Sequence, residues 1–235
     1  MNKIDPLGLT DFVCMETETK VYVDDGNNVV LQVTKDQLNQ LREVHFDSQT
    51  DAYIEVVESA IVRNDLFPTV ENVLKGRRVV TWADSGDCLV KSKKQNNVPL
   101  DNQNQRIDTF NKSTNTYDFE RGTEYIVNEL ISNHSVVVGV NHNAEKPKNN
   151  NPSTDHFLNI VGMGFDFHDG SMKNFFSYYD NATSDISKVT DLSENRFYVM
   201  YLKNGYYKVW YDNTKLNHST AKRYILSEVR KNAKK

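Results

Sequence analysis

The chain has 235 residues, of which 38% are hydrophobic and 26% charged, and a formal net charge of -4. That length supports one large domain, or one domain with a small appendage. The slight acidity gives no reason to expect nucleic-acid binding, two cysteines make no disulfide framework, and no apolar run approaches the roughly 20 residues that span a bilayer.

Residues 1–10 contain no apolar h-region, so no secretory signal peptide is visible. Within them, Asp5-Pro6-Leu7-Gly8 has the chemistry of a turn. Alternating runs follow at Phe12–Met15, Val21–Val23 and Val29–Val33. The last two runs, separated by Asp24–Asn28, predict a hairpin. Thr34 and Gln37 fit a capping box, with Leu38 and Leu41 at helical spacing behind it. Residues 50–64 predict a second helix with Tyr53, Val56, Val57, Ala60 and Ile61 on one face. Pro68 interrupts, and Val70–Leu74 continues as a short helix.

Residues 77–82 predict a short strand that runs into the polar turn Asp84-Ser85-Gly86-Asp87. Cys88 stands where that turn ends and a helix begins. Residues 96–119, rich in Asn, Gln, Ser and Thr, predict a loop. Arg121–Ser132 predicts a helix and Val136–Val140 a central strand. The polar stretch 142–153 predicts a surface loop. His156 then opens an apolar run to Gly164, a turn follows at Asp169-Gly170, and a second run ends in Tyr178-Tyr179-Asp180-Asn181. Phe197–Leu202 and Tyr206–Tyr211 flank Asn204-Gly205, a strong hairpin signal. The basic tail, residues 216–235, predicts a C-terminal helix.

Candidate chemistry lies in the middle of this order. A thiol attacks a carbonyl as the thiolate, which a helix N-terminus and a neighbouring imidazolium both favour. Cys88 is placed for the first and His156 for the second. The same helix N-terminus offers backbone N–H groups to an oxyanion. Two adjacent antiparallel strands bring His156 to the same sheet end as Asp180 or Asn181, either of which can fix the imidazole tautomer. Cys14 lies in an alternating strand and reads as core.

Two resemblances add to this. Asn2-Lys3-Ile4-Asp5-Pro6-Leu7-Gly8-Leu9 resembles the end of the Rhs/YD-repeat core, which precedes a variable C-terminal toxin. That resemblance implies the toxic tip of a larger secreted protein, delivered into a target cell. It further implies a repeat shell, secretion machinery and a cognate immunity protein as partners. The second covers roughly residues 79–182. The order of Cys88, His156-Phe157-Leu158-Asn159-Ile160-Val161-Gly162 and Tyr179-Asp180-Asn181 resembles papain-like cysteine peptidases, especially the branch of bacteriocin-leader peptidases and cell-wall amidases. It implies Cys88 as nucleophile, His156 as base and Asp180 as orienter, with no cofactor.

The expected fold is α+β and papain-like, with helices packed on a central antiparallel sheet. Residues 1–10 are read as the remnant of the Rhs-core motif, 11–75 as an N-terminal subdomain and 76–235 as the catalytic domain. The expected function is an effector toxin that hydrolyses or deamidates an amide in protein or peptidoglycan. Two other classes stay open. One is a metal hydrolase using His142, His156, His168 or Asp180, although their spacing matches no zinc motif. The other is a β-rich binding module that presents exposed tyrosines.

Overall fold

A computed structural model describes residues 9–24, 27–43, 51–101, 103, 105–110, 118–141, 154–168, 171–202, 207–212 and 224–233. The Asp-Pro-Leu-Gly turn, the 142–153 loop, Asp169-Gly170 and Asn204-Gly205 lie outside the described residues. The chain divides into two compact units. Residues 1–70 with 164–174 form the first, and residues 71–163 with 175–235 form the second.

In the first unit, β1 (Leu9–Cys14) and β2 (Thr19–Asp24) make the hairpin. β3 (Val30–Gln32) pairs with β1 in parallel, so the hairpin expected between β2 and β3 does not form. The reversal falls instead between Cys14 and Thr19, where Glu18 takes a φ of 50°. α1 (Lys35–Glu43) starts at the expected capping box. The Thr34 N–H donates to Gln37 Oε1 at 2.8 Å, and the Gln37 N–H donates to Thr34 Oγ1 at 3.3 Å. α2 (Asp51–Ser59) follows, then the two-residue edge strand β4 (Ile61–Val62) against β3. One face of β1 sends Phe12 and Cys14 into a cluster with Leu38, Leu41, Tyr53 and Val56. Its other face places Val13 with Val30, Leu66 and Phe165.

In the second unit, α3 (Cys88–Gln95) precedes β5 (Arg106–Asp108), α4 (Phe119–Ile131) and β6 (Val136–Asn141). Then come β7 (His156–His168) and β8 (Ser171–Tyr179), of which residues 164–174 count with the first unit, followed by α5 (Ile186–Val189), β9 (Arg196–Leu202), β10 (Tyr207–Asp212) and β11 (Ile225–Arg230). The strands run β10-β9-β8-β7-β6-β11 with β5 outside, and β10 also pairs with β11. That last pairing closes six antiparallel strands into a barrel. Tyr211 is registered opposite Ile225, and the Asp212 N–H donates to the Tyr224 carbonyl at 3.0 Å.

The expected α+β, papain-like arrangement of helices on a central sheet is therefore overturned: the protein is mostly β, with a closed barrel and a separate mixed sheet. The reason lies in the tail. Residues 225–230 are a strand, because β11 inserts between β6 on one side and β5 and β10 on the other. Its residues are buried on both faces, so the polar–apolar alternation that marks a half-exposed strand is absent. The pattern of Tyr224, Ile225 and Val229 then fits a helix as well as a strand. Two smaller expectations also fail. Residues 70–74 are not helical, since the Val73 N–H donates to the Val161 carbonyl of β7. Residues 77–82 form no strand, since the Val80 N–H donates to the side chain of Gln95.

Along one side of the barrel wall, aromatic rings are in sequence. Phe119 stacks on Trp210 at 5.7 Å, Trp210 meets Phe176 at 4.4 Å, and Phe176 is registered opposite Phe197. Phe197 meets Tyr178 at 4.7 Å, Tyr178 meets Tyr224 at 6.4 Å, and Tyr224 stacks on His156 at 5.8 Å. α4 comes close to the wall at Gly122, where a Cβ would stand 2.2 Å from a Thr109 methyl.

Candidate active site

The segment before α3 is shaped by local polar chemistry. Gly86 has a φ of +107°, a region L side chains rarely adopt, and a Cβ there would stand 2.6 Å from a Val90 methyl. Asp87 is the N-cap of α3, and its carboxylate accepts from the Val90 N–H at 2.8 Å. Cys88 is thus the first residue of α3. Its own N–H and that of Leu89 donate to no acceptor among the described residues. An anion near the sulfur would meet two free amides and the positive end of the helix.

α3 reaches the barrel through polar groups. Its buried residues are Lys91, Ser92 and Gln95. The Ser92 carbonyl accepts from Asn159 Nδ2 at 3.0 Å, and Ser92 Oγ accepts from Asn181 Nδ2 at 3.1 Å. Gln95 accepts from the Val80 N–H at 2.6 Å and donates to the Arg78 carbonyl at 3.2 Å. At the helix end, Asn96 accepts from Ser135 Oγ at 2.6 Å and donates to Asn232 Oδ1 at 2.9 Å. These bonds fix both the depth and the rotation of the helix that carries Cys88.

His156 begins β7, opposite Val140 of β6. Its Nε2 lies 2.9 Å from Asp180 Oδ1, with both side chains buried. Nδ1 is then the ring nitrogen left for the thiol, and the thiol and imidazole hydrogen-bond to each other. The Phe157 N–H also donates to the sulfur. Asp180 is held from three sides. Its Oδ1 accepts in addition from the Ala182 N–H at 2.9 Å, and its Oδ2 accepts from the Tyr224 hydroxyl at 3.0 Å.

The electrostatics of the three groups agree in direction. Burial works to raise the Cys88 pKa, but the hydrogen bond and charge of His156 outweigh it and bring the thiol below its ordinary value. Burial works to lower the His156 pKa, but the Asp180 carboxylate and Cys88 reverse this and raise it to about 9. Asp180 in turn is held below the usual carboxylate range, since His156 and its hydrogen-bond donors outweigh burial. Tyr224 is pushed up by burial and by Asp180, which keeps its hydroxyl protonated as a donor. The combination favours a thiolate–imidazolium pair over a neutral thiol and imidazole.

The structure therefore brings Cys88, His156 and Asp180 into one chain of hydrogen bonds. Asn181, the other candidate orienter, turns its amide to Ser92 and anchors α3. Of the metal candidates, His142 lies outside the described residues, and His168 is at the opposite end of β7 from His156. Among the described residues, no group of three His, Cys, Asp or Glu side chains could hold a metal ion. Among the described residues, no helix is long and apolar enough to cross a membrane. Tyr224 is a site residue that the sequence did not reveal, because it belongs to the tail whose pattern reads as a helix. Asn159 was hidden by lying inside a run read for its apolar neighbours.

Comparison with protein-family models, with curated proteins and with solved structures found no match. The chemistry of the site must be argued from its own geometry.

Proposed function

We propose that this protein is a thiol-dependent amide hydrolase. The observation that carries the reading is the buried His156–Asp180 pair, with the imidazole's other nitrogen at the Cys88 thiol and the thiol at a helix N-terminus. In this reading the Cys88 thiolate adds to the carbonyl carbon of an amide. The oxygen takes the negative charge and is met by the N–H groups of Cys88 and Leu89. The C–N bond breaks as the His156 imidazolium gives its proton to the departing nitrogen, leaving a thioester on Cys88. Water then attacks the thioester, His156 takes a proton from that water, and the acid leaves with regeneration of the thiolate. Asp180 stays ionised throughout and fixes the imidazole in the orientation that both transfers need.

The likeness of residues 2–9 to the end of an Rhs core extends the proposal to biology. The hydrolase would be an effector toxin delivered from a larger protein, and its producer would carry a cognate immunity protein. The substrate would be a protein or peptidoglycan amide.

The test is expression in a bacterium, in cytoplasm or periplasm, of the wild type beside Cys88→Ala and His156→Ala, with folding checked on purified protein. Growth arrest that both substitutions abolish is expected; arrest that survives Cys88→Ala would sink the mechanism. A chemical measurement gives the pH dependence. The lowered thiol pKa keeps more of Cys88 ionised as pH falls below the ordinary thiol range, so alkylation by iodoacetamide should fall off at a lower pH than for an unperturbed thiol. In His156→Ala the thiol returns toward its ordinary value, and the alkylation profile should move to higher pH, with a slower rate at pH 6. Cleavage of an amide should also fall as pH rises through about 9, where His156 loses the proton that the departing nitrogen needs.

A further inference from the structure

Basic side chains around the nucleophile helix are mostly committed. Arg78 pairs with Asp84, whose carboxylate also accepts from the Thr81 N–H. Lys94 donates to the Ser85 carbonyl at 3.0 Å and to its hydroxyl at 3.3 Å. Asp87 is occupied with the Val90 N–H. Lys91 is different. It is 4% exposed, yet its ammonium makes no hydrogen bond and no ion pair among the described residues. Its ammonium sits over the indole of Trp82, 4.1 Å from the ring centroid.

Both members of this pair belong to α3 or to the turn that leads into it. Lys91 is three residues after Cys88 on α3, so the two share a helix face, with Cβ atoms about 5–6 Å apart. Trp82 lies on the turn that leads into α3. Its backbone N–H donates to the Thr183 carbonyl at 2.9 Å, which ties that turn to the segment that follows Asp180 and Asn181. The ring is nevertheless 56% exposed, in contrast to Trp210, which is fully buried.

An ammonium with a buried stem and no acid is costly, and an indole face satisfies only one of its three donors. Two donors remain for something that arrives from outside. An exposed flat ring beside them offers an apolar surface to the body of the same ligand. We infer that Trp82 and Lys91 form a subsite for a carboxylate on the residue next to the scissile amide, with the carboxylate on the ammonium and the carbon skeleton on the indole. The inference rests on the hydrolase reading above and names its substrate class: amides flanked by an acidic residue or a free carboxyl group. A neutral peptide would leave the Lys91 donors unmet and bind less well.

Two small alkylating agents read this without a known substrate. Iodoacetate and iodoacetamide transfer to the same sulfur with loss of iodide, and they differ in one carboxylate. The rates at Cys88 are followed by peptide mass in the full chain, because Cys14 is also present, and the readout is their ratio. In the wild type iodoacetate should react at Cys88 at least as fast as iodoacetamide. In Lys91→Met and Lys91→Gln the ratio should fall about ten-fold, the scale of one nearby unit charge, and in Lys91→Arg it should hold. Salt should erode the wild-type preference. A ratio unchanged in both neutral variants overturns the subsite while leaving the hydrolase standing. Rates that drop by one common factor also overturn it, since Lys91 would then act on the thiol. A wild-type Cys88 that reacts with neither reagent removes the hydrolase reading, and the subsite with it.

Discussion

The helices of the two units are seated by opposite means. α1 and α2 bring Leu38, Leu41, Tyr53 and Val56 into an apolar cluster with Phe12 and Cys14 of β1. α3 is seated by Ser92, Gln95 and Asn96 on amides, hydroxyls and backbone groups. Apolar contact is non-directional and tolerates small shifts. A hydrogen bond between buried groups has a fixed length and angle, and leaving either group unmet is costly. The contrast also appears in the two cysteines: Cys14 is fully buried among hydrophobic side chains, and Cys88 lies half-buried on the helix held by polar bonds. Apolar seating suits a support. Polar seating suits a helix whose first residue, Cys88, must meet the His156 imidazole at bonding distance.

Three substitutions probe that contrast. Leu38→Ala should lower the unfolding free energy by about 2–5 kcal/mol, as for other fully buried leucines. Below the melting temperature it should leave the rate of Cys88 alkylation unaltered, and a slowed rate would show that the apolar seat also positions the thiol. Asn159→Leu keeps the branched shape but removes the donor to the Ser92 carbonyl. About 1–3 kcal/mol of stability should be lost, and Cys88 alkylation at pH 6 should slow with it. Stability lost with reactivity intact would show that α3 holds its place without that bond. Asp87→Ala should be the mildest, at about 1 kcal/mol for the lost cap. Its carboxylate raises the Cys88 pKa by its charge, so removing it should push the thiol further down. A titration of thiolate absorbance that moved upward instead would show that the cap matters more than its charge.

Much of the site was legible in the sequence because its members interrupt a pattern. His156 opens an apolar run, Asp180 ends one, and Cys88 follows an Asp-Ser-Gly-Asp turn whose last residue is a competent cap. The seat of α3 was not legible. Its buried positions are Lys91, Ser92 and Gln95, so no apolar stripe marks the inward face. The closure of the barrel was hidden for the complementary reason. β11 is covered on both faces, and its Ser227 and Glu228 are as buried as Leu226 and Val229. In the first unit the Thr34 cap announced α1, while the parallel pairing of β3 with β1 depended on a contact that no local signal encodes.

The closing strand also sets a schedule. Tyr224, which holds the second oxygen of Asp180, and β11, which joins β6 to β10, are synthesised after the other members of the site and after the other strands of the barrel. Cys88, His156 and Asp180 are all made earlier, yet the ring around them stays open until residues 224–230 arrive. Pairing between strands so far apart in sequence is also slow to form. A nascent chain thus carries Cys88, His156 and Asp180 with the barrel still open, and Asp180 gains its Tyr224 partner only once β11 has been made.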